Sequence, residues 1–170
     1  MKSKISKISS NQSNQTKYPT VLIASDHAGY QLKEFLKHHF SFQKIHYKVK
    51  DLGTYSSESV DYPDYAHLLS RLISNGEQER AILLCGSGIG MSIVANRYPN
   101  VRAALCWNYE IARLSREHND SNILVLPARF LDLSQAYSIV LVWLETKFAG
   151  GRHQKRIDKI DNLSRLPFSF

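Results

Sequence analysis

A chain of 170 residues, 43 % apolar and 11 % aromatic, is long enough for one domain with a real core and short for two. Its longest apolar stretch, IVLVWL at 139–144, is far below membrane-spanning length, and the start, MKSKISKISSNQSNQTKYPT, has lysines but lacks the apolar run of a secretory signal. The formal charge of +7 sits at the two ends, with four lysines and no acids in residues 1–19, five bases against two acids in 151–170, and 13 of each between, which argues against a nucleic-acid binder.

In chain order, residues 1–19 are Ser-rich and acid-free and read as a disordered polar extension, since they lack the arginines and amphipathic spacing of a transit peptide. Residues 20–165 read as a single domain with a C-terminal helix. TVLIAS (20–25) is a strand, and Leu32, Phe35, Leu36 and Phe40 then recur at helical spacing. YKVKDLG (47–53) is a weaker, alternating strand. Tyr65, Leu68, Leu69, Leu72 and Ile73 form the next helical stripe, ended by Asn75-Gly76. AILLC (81–85) reads as a strand buried on both faces, and MSIVANR after it as a short helix. VRAALCW (101–107) is a fourth strand, followed by a helix through Ile111 and Leu114, and NILVLP (122–127) is a fifth. Asp132 can cap a helix with Ala136, Ile139, Val140, Trp143 and Leu144 on one face, and a last amphipathic piece runs from about 152 to 164.

Five strands alternating with helices predict a three-layer, Rossmann-like or flavodoxin-like α/β fold, a parallel sheet of order 2-1-3-4-5 with helices on both faces. Ligands bind such sheets at the C-terminal ends of the strands, at the switch point between strands 1 and 3. SDHAG (25–29) and CGSGIG (85–90) both fall there.

The glycine stretch excludes several chemistries. A dinucleotide fingerprint needs its third glycine where Met91 stands and an acid near position 106, which is Cys106. A phosphate loop would need Gly-Lys-Ser/Thr, and a cysteine phosphatase an arginine where Met91 stands. A backbone anion hole beside a thiol remains: Gly86, Gly88 and Gly90 free successive N–H groups to converge, and a helix start near Ile89 adds its positive end. Such a field is expected to lower the pKa of Cys85, leaving a thiolate to act as nucleophile or base. The same spacing also suits a glycine turn beside a buried cysteine, and both readings stay open on spacing alone. The two cysteines, 21 residues apart, form no C-x-x-C or zinc spacing, so no metal or cofactor is expected and a reducing, cytoplasmic compartment is the default. The Asp26-His27 pair lies beside the loop. Arg152 and Arg156, at i and i+4 after a glycine hinge, suit either a phosphate clamp or a solvated basic helix.

Taken together, SDHAG, DLGTYSSESVDYPDYA (51–66), CGSGIGMSIVANR (85–97), RLSREHNDSNIL (113–124) and GGRHQKR (150–156) resemble the type B ribose-5-phosphate isomerases of the ribose/galactose sugar-phosphate isomerase family. The resemblance covers about residues 20–163. It implies a metal-independent exchange of ribose 5-phosphate and ribulose 5-phosphate through an enediolate. Members with a glutamate base carry it where Met91 stands, so this chain resembles the cysteine type, with Cys85 as base. Residues 86–90 (Gly86, Ser87, Gly88, Ile89, Gly90) match the enediolate loop, Ser87 a proton relay, His118 the acid that opens the sugar ring, and Asn119 a substrate contact. Asp26 and His27 match sugar-binding positions, and Arg129, Arg152 and Arg156 the phosphate site. The alternatives are an allose or galactose 6-phosphate isomerase and a non-catalytic flavodoxin-like module that binds a phosphorylated sugar.

The reading also implies a homodimer, alone or as a dimer of dimers. Cys85 ends the third strand, at the C-terminal edge of the sheet, while His118 precedes the fifth, near the opposite edge. A strand of five residues spans about 17 Å, so, unless SREHND (115–120) is a long loop that folds back, the two residues are expected to meet across a twofold axis, in active sites shared between chains.

Overall fold

The computed structural model describes residues 18–42 and 47–160, in which five parallel strands form one sheet. The residues 1–17 of the expected extension and the end of the expected last helix lie outside this range. In chain order come β1 (Thr20–Ser25), α1 (Tyr30–Phe42), β2 (Lys48–Asp51), α2 (Tyr62–Ser74), β3 (Arg80–Cys85) and α3 (Ile89–Ala95). β4 (Ala103–Leu105), α4 (Tyr109–Asn119), β5 (Ile123–Pro127), a 3-10 turn (Ala128–Phe130), α5 (Leu133–Glu145) and α6 (Arg152–Ile157) complete it.

The period of two along each strand deals its side chains to two cores. Val21 and Ile23, Ile82 and Leu84, Leu124 and Leu126 pack with α1, α5 and Ala112 of α4. Leu22 and Ala24, Ala81, Leu83 and Cys85, Ile123 and Val125 pack with α2 and α3. Each fully buried Leu or Ile contributes roughly 1.5–3 kcal/mol. Cys85 therefore points to the α2/α3 face because its neighbour Leu84 points to the other.

The sheet order is β2-β1-β3-β5-β4, so the expected order corrects to one in which the last two strands exchange places. The reason is burial. β5 is buried at all five positions and pairs with β3 from Ala81↔Ile123 to Cys85↔Pro127, whereas β4 is three residues long and only half-buried. A short, half-exposed strand belongs at an edge. Asn96 closes that edge by accepting from the Ala103 N–H at 2.8 Å and donating to the Ala103 carbonyl at 2.9 Å.

The helix signals hold. α2 ends at Asn75, and Asp132 caps α5 in a reciprocal capping box with Gln135. Trp143 of α5 donates through Nε1 to Ser121 at 2.8 Å, tying α5 to the turn between α4 and β5. Among the described residues no helix is long and apolar enough to cross a membrane.

Candidate active site

The carboxyl ends of β1 and β3 open onto a cavity of about 410 Å³, lined by Asp26, His27, Cys85, Ser87, Tyr62 and Arg129 among others. The β1–β3 register, Ser25↔Leu84, sets Asp26 beside Cys85, as the switch-point rule requires.

Cys85 is buried, and its sulfur accepts the Gly88 N–H at 3.1 Å. Gly88 reaches back because it sits at φ +75°, the left-handed region, where a Cβ would lie 2.3 Å from Leu105 Cδ1. The glycine loop is thus folded around the sulfur itself. The expected fall in the thiol's pKa is corrected: burial pushes it up, and the Asp26 carboxylate adds to this. Backbone N–H groups of Met91, Gly88 and Ser87 pull it down without reversing the outcome. Cys106 is fully buried, with its thiol pushed up to about 11 by burial.

Asp26 is buried and accepts the Gly29 N–H at 2.9 Å, which pins the start of α1. His27 Nδ1 lies 3.2 Å from both the N–H and the carbonyl oxygen of Val60, so the loop before α2 orients the imidazole. That loop is anchored on β1, with Ser25 N–H donating to the Gly53 carbonyl and Thr54 N–H to the Ser25 carbonyl at 2.6 and 2.8 Å. Ser87 is exposed at the cavity, and its Oγ accepts the Ile89 N–H at 3.3 Å. The Arg129 N–H donates to the Gly86 carbonyl at 3.1 Å, fixing the 3-10 turn to the glycine loop.

Tyr62 is a cavity residue that the motif reading did not single out. It begins α2, and its ring lies over Gly90, where a Cβ would meet it at 2.5 Å. The Tyr-Pro pair at a helix start facing the glycine loop was its only signal.

The remaining candidates lie elsewhere in the chain. α4 runs back along the sheet, so His118 and Asn119 in its last turn sit near the amino ends of β3 and β5. α6 packs against that end of α4, with the Ala149 N–H donating to the Glu117 carbonyl at 3.0 Å. His118 stacks on the buried His153 with ring centroids 4.2 Å apart and planes 7° from parallel. Arg152 and Arg156 flank His153 on α6 and are exposed. One chain therefore brings Asp26, His27, the glycine loop and Arg129 to Cys85. It does not bring His118, Asn119, Arg152 or Arg156 there, because the length of β3 intervenes. His153 carries no sequence signal of its own: it stands between Arg152 and Arg156 in GGRHQKR, and only its burial against His118 marks it. Among the described residues no group of three or more His, Cys, Asp and Glu gathers as a metal site would need.

Comparison with known proteins follows the same lines. The sequence model of the family described as Ribose/Galactose Isomerase matches residues 21–160. The ribose-5-phosphate isomerase B of Escherichia coli is 40 % identical over 140 residues, which span 82 % of this chain and 93 % of that one. A crystal structure of a ribose 5-phosphate isomerase from Thermotoga maritima superposes with a TM-score of 0.80 at 52 % identity, over 85 % of this chain and 98 % of that one. The ribose-5-phosphate isomerase B of Mycoplasma genitalium, solved with bound ribulose 5-phosphate, gives a TM-score of 0.79 at 38 % identity, over 86 % and 96 % of the two chains.

Proposed function

This chain belongs to the ribose/galactose isomerase family, and we propose that it interconverts ribose 5-phosphate and ribulose 5-phosphate with Cys85 as the base. The observation that carries the reading is a buried thiol within a backbone N–H nest at a cavity shared with Asp26, His27 and Arg129.

An aldose–ketose isomerase must remove a carbon-bound proton, hold the enediolate that results, and return the proton to the neighbouring carbon. Once the sugar ring is open, the Cys85 thiolate takes the proton from C2. The C2–H electron pair becomes the C1–C2 double bond, and the aldehyde oxygen takes up the charge. Return of the proton to C1 and collapse of the other oxygen to a carbonyl yield the ketose. Loop N–H groups at residues 86–90 stabilise the oxyanion, with each donor worth roughly 3–4 kcal/mol in the transition state. Ser87, exposed at the mouth, relays protons between the oxygens. His118 is the acid that opens the furanose, and Asn119 contacts the sugar. Arg129, Arg152 and Arg156 hold the phosphate, whose binding energy orients the distant reacting carbons.

His118 and its arginines act in the Cys85 cavity of a second copy. Exposed apolar side chains support this: Ile89 and Ile93 on α3, Trp107 before α4 and Tyr109 at its start, and Leu133 and Phe130, the last 72 % exposed. All flank the carboxyl edge of the sheet, where a monomer would leave them in water. A twofold dimer, alone or paired again, covers them and places the His118 end of each chain against the Cys85 cavity of the other. A reducing, cytoplasmic compartment suits the free thiol on which the chemistry depends.

A coupled assay of the purified full-length protein tests the reading. Turnover of ribose 5-phosphate well above that of allose 6-phosphate is expected. Absence of ribose 5-phosphate turnover, or preference for the six-carbon substrate, overturns it.

A further inference from the structure

The chemistry above leaves His153 without a task, although it is a buried histidine lying flat on the residue assigned as acid. α6 is short, and its first turn is fixed by the His153 N–H donating to the Gly150 carbonyl at 3.0 Å. From α4, His118 and Glu117 face His153, with Glu117 in turn paired to Arg113. From α6 itself, Arg152 and Arg156 face it, and Arg152 Nε lies 3.5 Å from His153 Nε2. A guanidinium nitrogen can only donate, so this contact suits an unprotonated Nε2. Two stacked imidazolium rings would also repel. Burial, then His118, Arg152 and Arg156, hold His153 below the usual histidine range, and Glu117 opposes them.

We propose that His153 is a positioning residue: its ring, lying flat against His118, fixes the plane and place of the His118 imidazole relative to the arginines of α6. An unstacked imidazole in the last turn of a helix would rotate between staggered wells. Stacked, it is held in one, and because Arg152 and Arg156 ride on the same six-residue helix, the phosphate contacts and the acid form one unit. A bound phosphate then registers the furanose oxygen against His118. This inference rests on the reading of His118 as the ring-opening acid.

The test uses four variants of the full-length protein. His118→Asn tests the underlying reading and is expected to lose turnover at least a hundredfold. His153→Leu fills the buried place without a planar ring, and His153→Ala empties it. Both are expected to lower kcat about 10- to 100-fold with KM changed less than about threefold. His153→Phe restores a flat face and is expected to keep at least a third of the wild-type kcat. Proton NMR of the histidine Hε1 signals supplies a readout that mere packing would not move. In the wild type and His153→Phe, the neighbouring ring current shifts the His118 signal, and in His153→Leu that shift is lost. In His118→Asn the titration of His153 moves up, since a like-charged neighbour has gone. Wild-type kcat in His153→Leu alongside an inactive His118→Asn overturns this proposal and leaves the function standing. Equal losses in His153→Leu and His153→Phe overturn it too. If His118→Asn itself stays active, the assignment of the acid falls and this inference falls with it.

Discussion

A thiol with a raised pKa is a demanding choice of base, and for Cys85, the proposed base, the demand is set by single contacts. Burial favours the neutral thiol, Asp26 adds a neighbouring negative charge, and the loop N–H groups work against both. In the proposed mechanism only the thiolate removes the proton, so kcat/KM is expected to rise with pH on the alkaline side, along a limb set by Cys85. Asp26→Asn keeps an acceptor for the Gly29 N–H but removes the charge, and should move that limb to lower pH. A pH–rate profile that ignores Asp26→Asn would detach the carboxylate from the thiol. Cys85→Ala should lower turnover by orders of magnitude while ribose 5-phosphate still binds. Cys106→Ala should keep the rate, since that thiol faces the opposite core. Steady-state kinetics and a direct binding measurement separate the two cysteines, and an inactive Cys106→Ala with an active Cys85→Ala would reverse the assignment.

Among the elements, β2 depends on a charge that the core has swallowed. Lys33 of α1 is fully buried and donates to both oxygens of Asp51, at 2.7 and 2.6 Å, while Lys37 also reaches Asp51 and the Gly53 N–H donates to it at 2.9 Å. Burial pushes the Asp51 carboxyl up, but the two lysines and the Gly53 N–H pull it further down, to below the usual carboxylate range. A depressed carboxyl contributes stability above its unfolded pKa of about 3.9, and that share is lost as pH falls through the folded value. Among the described residues, Asp51→Ala leaves Lys33 with Glu34, at 3.3 Å, as its carboxylate partner, and should cost about 3 kcal/mol at neutral pH. Urea unfolding at pH 7 and pH 3 checks both points: a variant as stable as wild type at pH 7 would show that the pair carries nothing. α6 offers a contrast, because its arginines are exposed. Arg152→Ala and Arg156→Ala should each reduce kcat/KM about 10- to 150-fold, the equivalent of one charge-assisted contact, with little change in Tm. Unchanged kinetics would return α6 to a solvated basic helix.

At the scale of the whole molecule, the arrangement of the site predicts how inactive chains should behave together. Cys85→Ala and His118→Ala proteins are each expected to be nearly dead. Random exchange between equal amounts makes half the dimers mixed, each with one intact site. Activity should then recover to about a quarter of wild type. No recovery, with exchange confirmed by native mass spectrometry, would place both residues in a single chain. Dialysis against a strong chelator should leave the rate unchanged, since the proposed mechanism assigns the enediolate to loop N–H groups rather than to a cation. Activity lost to the chelator and restored by a divalent ion would refute that.

The sequence alone determined the parallel α/β architecture, because five β-branched runs separated by helical stripes admit few other solutions. It also determined the switch-point location of Asp26 and Cys85, because a strand's end is where its apolar run stops. Strand direction made the separation of His118 from Cys85 an expectation, but only the fold shows that His118 lies in the last turn of α4 rather than in a loop folding back. The order of β4 and β5 needed the folded sheet, because it turns on which strand is buried on both sides, and both runs look apolar in one dimension. The state of Cys85 needed it as well: glycines promise N–H donors, but only packing shows that burial and Asp26 outweigh them. Tyr62 over Gly90 and His153 on His118 are contacts between residues 28 and 35 positions apart, and no local pattern records them. Local periodicity encodes elements and their ends, whereas pKa values, ring stacks and edge positions are sums over neighbours that only the tertiary structure brings within reach.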